Sequence, residues 1–192
     1  MAVTLGEPVR DAAAKLIDEC RARASRLAPR ARITWVDPDR MHVTVRFIGH
    51  VGDGPAAAIR EALTPPVPLA PFVCTIAGTG CFPGRGQPRV VWAGVAGGGQ
   101  QFATLEHEVS GRLAGVGLEA ESRPYSPHLT LARVRDAAGL RAERLLDGLT
   151  DVSLGRVAVT TVTLFESRLS PKGPTYVPLL ETPLSAGVAG EQ

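Results

Sequence analysis

Lysine is nearly absent from this chain of 192 residues: Lys15 and Lys172 are its only two, and arginine carries almost all the positive charge. With Lys and Arg at 21 against Asp and Glu at 19, the net charge of +2 is too small for a general polyanion binder. Arginine's planar fork still suits a local anion site through bidentate contacts. Cysteine is also scarce. Cys20, Cys74 and Cys81 are odd in number and form no Cys-x-x-Cys, which argues against a disulfide framework and a cysteine zinc site. They read as small apolar residues, Cys20 on a core-facing helix stripe and the others in or near strands. No His-Glu-x-x-His or paired-aspartate cluster is present, so no metal and no cofactor are expected. No apolar run approaches the roughly 18–20 residues that span a bilayer. The opening Met1-Ala2-Val3-Thr4-Leu5-Gly6-Glu7-Pro8 has neither the basic start nor the apolar stretch of a secretory signal, so the cytoplasm is the expected compartment.

What is present is the composition of an ordinary globular protein, 44% apolar and 21% charged, long enough for one domain or two small lobes on a shared core. Residues 8–27 read as a helix, with Val9, Ala12, Ala13, Leu16, Ile17, Cys20, Ala24 and Leu27 on one stripe. A short strand at 32–35, a turn at 37–39 and a strand running from 41 to Gly49 follow. Further helices are predicted at 55–63, 101–113 and 140–149. Strands are predicted at 72–77, 80–82, 90–95, after Tyr125, and at 152–154, 158–167 and 176–180; residues 64–68 form a Pro-rich connector. Alternating strands with hairpin-length links favour antiparallel sheet, hence an α+β class. Residues 1–184 are expected to form the domain, and 185–192 a frayed tail.

Two segments carry the chemistry. Met41-His42-Val43-Thr44-Val45 and Pro127-His128-Leu129-Thr130-Leu131 are both His-x-Thr-x, and they use two of the chain's four histidines. In a strand, residues two apart share a face, so each His and Thr point together while Val43, Val45, Leu129 and Leu131 point into a core. The copies are 86 positions apart, each after an amphipathic helix, which suggests a weak internal duplication. Two imidazoles, one neutral and one protonated, can deprotonate a water and protonate a leaving oxygen on opposite sides of a phosphorus. The Thr44 and Thr130 hydroxyls can stabilise the non-bridging oxygens. His50 and His107 lack the following Thr and read as surface residues.

The resemblance extends well beyond the doubled motif. Trp35 through Gly49, Gly80-Cys-Phe-Pro83, Pro88 through Gly94, Arg123 through Arg133, and Leu164 through Leu169 with Gly173-Pro174 and Tyr176 resemble successive blocks of the 2H phosphoesterase superfamily. The likeness is to its bacterial RNA 2′,3′-cyclic phosphodiesterase branch, also called 2′-5′ RNA ligase. It implies a bilobal fold, two pseudo-symmetric lobes of antiparallel sheet plus helices around a central cleft, monomeric and without cofactor. It implies that RNA or oligonucleotide 2′,3′-cyclic phosphate ends are opened to 2′-phosphomonoesters. His42 would donate the proton to the departing 3′ oxygen, His128 would activate water, and Thr44 and Thr130 would contact the phosphate. Arg133 follows the second motif as in the family, although simple strand parity puts it on the face opposite His128. Trp35, Phe47 and Tyr125 are either base-stacking rings or core packing. Only Ala2-Val3-Thr4-Leu5 precedes the first helix, where the family has a longer strand, so either the start lies further upstream or the edge strand is short.

Three alternatives remain open at this point. The substrate is a 2′-5′ linkage or a small cyclic nucleotide, or the chain binds RNA ends without turnover, or it is a protein adaptor.

Overall fold

In a computed structural model, described here for residues 1–119, 121–170 and 173–186, the chain forms a single ten-stranded sheet with four helices. Strand β1 (Ala2–Thr4) leads into helix α1 (Glu7–Leu27), then β2 (Arg32–Trp35), a 3₁₀ turn (Pro38–Arg40) and β3 (His42–Thr44). Helix α2 (Asp53–Leu63) is followed by β4 (Val67–Pro68), β5 (Phe72–Phe82) and β6 (Val90–Gly97). Helix α3 (Gly99–Ala114) precedes β7 (His128–Asp136), α4 (Ala142–Leu145), β8 (Ser153–Val159), β9 (Thr161–Ser170) and β10 (Gly173–Ser185).

Across the sheet the order is β4-β10-β9-β1-β3-β7-β6-β5-β8, with β2 also pairing β7. Every pairing is antiparallel except β4 with β10. The seam between β3 and β7 divides the ten strands into two sets of five, the expected two-part layout. The sets are not consecutive halves of the chain. β1, β3, β4, β9 and β10 lie on one side of the seam, and β2, β5, β6, β7 and β8 on the other, so the backbone crosses repeatedly.

Helix α1 forms because Pro8 fits the first turn, Glu7 and Arg26 complement the helix dipole, and Val9, Ala13, Leu16, Ile17, Cys20 and Ala24 make a buried stripe. That stripe packs on β7, β8 and α4. Leu27, expected to belong to it, is 42% exposed, because the chain turns there and Ala28 takes the core position. All three cysteines are buried, and His50 and His107 are exposed, as expected.

Other boundaries moved for identifiable reasons. The first motif strand stops at Thr44 rather than Gly49, since its partner β1 has only three residues and begins opposite it; the amides of Val45 and Arg46 both turn to the Met1 carbonyl. That short opening strand is not an edge but lies mid-sheet, between β9 and β3. The two strands expected at 72–77 and 80–82 are one strand, broken in register around Gly78, whose φ of 74° a side chain would resist. β8 runs straight through Gly155, where a Cβ would come within 3.3 Å of Val9 on α1. Of the helix expected at 140–149 only Ala142–Leu145 is helical; Leu140, Leu146 and Leu149 still reach the core, but from turns. The Pro-rich connector contributes β4, and β10 extends to Ser185; residues 187–192 of the expected tail lie outside those described. Among the described residues no helix is long and apolar enough to cross a membrane.

Leu129 is wholly buried at the seam. Leu129→Ala should lower the unfolding free energy by about 2–5 kcal/mol, read from urea denaturation.

Candidate active site

Strand β3 pairs with β7 through Val43 against Leu129, both fully buried. Antiparallel register around this pair sets His42 beside Thr130 and Thr44 beside His128, all on the face away from the core. The four motif residues are thus related by an approximate two-fold axis through the Val43–Leu129 pair.

The symmetry extends to how each ring is held. His42 Nδ1 lies 3.0 Å from the Arg40 carbonyl, and His128 Nδ1 lies 2.8 Å from the Ser126 carbonyl. A carbonyl can only accept, so Nδ1 carries the hydrogen in both rings and Nε2 is left for proton transfer. Each ring also meets two aromatics. Tyr176 stands edge-on to His42 at 4.9 Å with Phe165 at 6.3 Å, and Phe82 stands edge-on to His128 at 5.3 Å with Trp92 at 6.5 Å. Trp92 lies across Gly80, where a Cβ would fall 2.2 Å from the indole. These four rings lie within the resembling blocks but were not expected at the site; strand pairing between remote segments brings them in.

Arg133 overturns the parity expectation. Trp92 pairs with Thr130 but Val91 pairs with Ala132, so Leu131 is an extra residue in β7, and Leu131 and Ala132 are consecutively buried. Beyond the bulge the faces exchange. Arg133, opposite Val90, therefore shares the face of Thr130 and the histidines. A cavity of about 320 Å³ has His42, Thr44, Thr130 and Arg133 in its wall, together with Trp35, Arg40 and Tyr176. His128 lies outside that wall, against Phe82 and Trp92.

The other expected residues sit elsewhere. Phe47 is 72% exposed and belongs neither to the core nor to the cavity wall. The Tyr125 hydroxyl donates to the Thr44 carbonyl at 2.9 Å, and its half-buried ring packs on the core. Burial, then the charge of Glu106, raise its pKa. Tyr125 is thereby a brace between the two motifs. Trp35 is partly buried, with one side on the core and one on the cavity. Arg40 pairs with Asp37 at 3.7 Å on the cavity rim.

Burial is the main cause lowering the pKa of His42, opposed by its bond to the Arg40 carbonyl and reinforced by the Met1 amino group and Arg133. Burial and Arg46 push the pKa of the Met1 amino group itself down to about 5. Among the described residues no three His, Cys, Asp or Glu side chains group to hold a metal ion.

Comparison with known proteins gives the family and the fold. The family model described as the 2′-5′ RNA ligase superfamily matches residues 8–170. A protein of Aeropyrum pernix named RNA 2′,3′-cyclic phosphodiesterase is 38% identical over 147 residues, covering 76% of this chain and 83% of its own. A protein of the same name from Methanothermobacter thermautotrophicus is 32% identical over 92% of each chain. The crystal structure of TT0787 of Thermus thermophilus superposes over 97% of both chains with a TM-score of 0.75 at 27% identity.

Two substitutions probe the geometry. Arg133→Ala removes a cation that disfavours the imidazolium, so the His42 titration midpoint followed by NMR should rise; an unchanged midpoint would show that Arg133 does not act on it. Gly80→Ala should drive the Trp92 indole from its place and shift the tryptophan fluorescence.

Proposed function

The chain belongs to the 2′-5′ RNA ligase superfamily, and we propose that it hydrolyses RNA 2′,3′-cyclic phosphate ends to 2′-phosphomonoesters. The observation that carries this reading is the paired presentation of two imidazoles, each with Nδ1 tied to a carbonyl and Nε2 free, across one two-fold seam.

In the proposed step, His128 Nε2 takes a proton from water as the water oxygen attacks phosphorus. The bond from phosphorus to the 3′ oxygen breaks in line, and protonated His42 Nε2 gives its proton to that oxygen. His128 is left protonated and His42 neutral, and exchange with solvent resets the pair. Thr44, Thr130 and Arg133 meet the non-bridging oxygens. The cavity supports this polarity. It lies on the His42 side, with Trp35 and Tyr176 in its wall, and so offers space for the sugar that owns the leaving oxygen. His128, outside the wall, is left to meet the water. A lowered His42 pKa makes its imidazolium a stronger acid, and a bound phosphate anion offsets the field of Arg133 and favours its protonation.

On this reading the protein works as a monomer in the cytoplasm, with no metal and no cofactor. Tyr125 serves by holding Thr44, and Phe47, from its exposed place, by touching the RNA chain beyond the terminal nucleotide.

A 2′,3′-cyclic-ended oligonucleotide should be converted to the 2′-phosphate with EDTA present. His42→Ala and His128→Ala should each lower the rate by about 10²–10⁴-fold in protein that remains folded by circular dichroism. Full activity in either variant would sink the mechanism, and binding without product in single turnover would point to an RNA-end binding module. The pH dependence of kcat/KM should be bell-shaped, because one imidazole must be protonated and the other neutral, and it should fall on the alkaline side as His42 loses its proton.

A further inference from the structure

Arg46 directly follows the first motif and is only 6% exposed. Its Nη2 donates to the Glu119 carbonyl, and its Nη1 stands 3.8 Å from the Glu121 carboxylate. Nε and Nη1 find no hydrogen-bond acceptor among the described residues. A buried guanidinium so incompletely satisfied is a poor way to fill space. What it supplies that an apolar side chain does not is a fork reaching two points of one segment.

That segment, described at residues 115–119 and 121–127, lies between α3 and β7 and ends in the backbone that orients the second histidine. The Ser126 carbonyl accepts from His128 Nδ1, and the neighbouring Tyr125 hydroxyl donates to the Thr44 carbonyl. The Arg46 and Tyr125 attachments both run back to the first-motif segment. The strands themselves offer little to hold this register, since Val43–Leu129 is the one β3–β7 pair among the described residues. We propose that Arg46 is a positioning residue for His128, fixing through Glu119 and Glu121 the segment whose Ser126 carbonyl sets that imidazole. Arg46 touches no substrate; it acts through the backbone.

The catalytic half of this inference rests on the function proposed above, so its test carries a readout independent of turnover. In Arg46→Met the His128 imidazole nitrogen resonances should shift or broaden while those of His42 stay in place. With a 2′,3′-cyclic nucleotide, kcat should fall by about 10-fold or more, by the sensitivity of rate to sub-ångström misplacement, with KM within about two-fold. Arg46→Lys, which keeps one charged contact but not the fork, should recover part of kcat. Should Arg46→Met fail to fold, Glu121→Gln alters only the half-exposed partner and should move His128 in the same sense by a smaller amount. A lowered melting temperature with His128 resonances and kcat unchanged would assign Arg46 a purely structural role and overturn the inference. If the protein shows no turnover but the His128 signals still follow Arg46, the functional reading fails and the positioning role stands.

Discussion

Val43 against Leu129 is the contact on which the site depends. Both side chains are wholly buried, and their register decides which residue of each motif faces which. Because faces alternate along a strand, burying this pair turns His42, Thr44, His128 and Thr130 outward together. A slip of one residue in either strand would send that motif's histidine into the core. The hydrophobic effect that closes the seam therefore also composes the constellation, and the same two-fold relation places a backbone carbonyl behind each Nδ1.

A two-fold site has no direction of its own, and a hydrolysis needs one. Here the symmetry is broken by features around the motifs. The Leu131 bulge brings Arg133 to the face of the site, where it meets His42 and the cavity wall. Both rings are flanked by two aromatics, but the cavity opens beside His42 and does not include His128 in its wall. Two rings with equivalent tethers thus sit in different surroundings, and that difference supplies the polarity of the proposed reaction.

How far the sequence discloses this depends on whether the relevant signal is local. The His/Thr pairs, the α1 stripe and the antiparallel character follow from short-range periodicity. The side on which Arg133 emerges does not, because the bulge at Leu131 arises from matching β7 to the regular run of β6. The mid-sheet place of β1 is equally hidden, since three residues carry no pattern strong enough to announce two partners. Phe82 and Trp92 become neighbours of His128 through pairing among β5, β6 and β7, and Phe165 and Tyr176 become neighbours of His42 through β3, β1, β9 and β10. At 140–149 the apolar spacing is real but the helix is confined to Ala142–Leu145: Leu140, Leu146 and Leu149 are buried from the turns on either side of it.

The central claim is that His42 and His128 act as acid and base on opposite sides of one phosphorus, and that neither attacks it. Hydrolysis of a single diastereomer of a 2′,3′-cyclic phosphorothioate in heavy-oxygen water tests this most directly, because the configuration of the product phosphorus records how many displacements occurred. A single in-line attack by water predicts inversion. Retention would mean two displacements through a covalent enzyme intermediate, and would contradict the account.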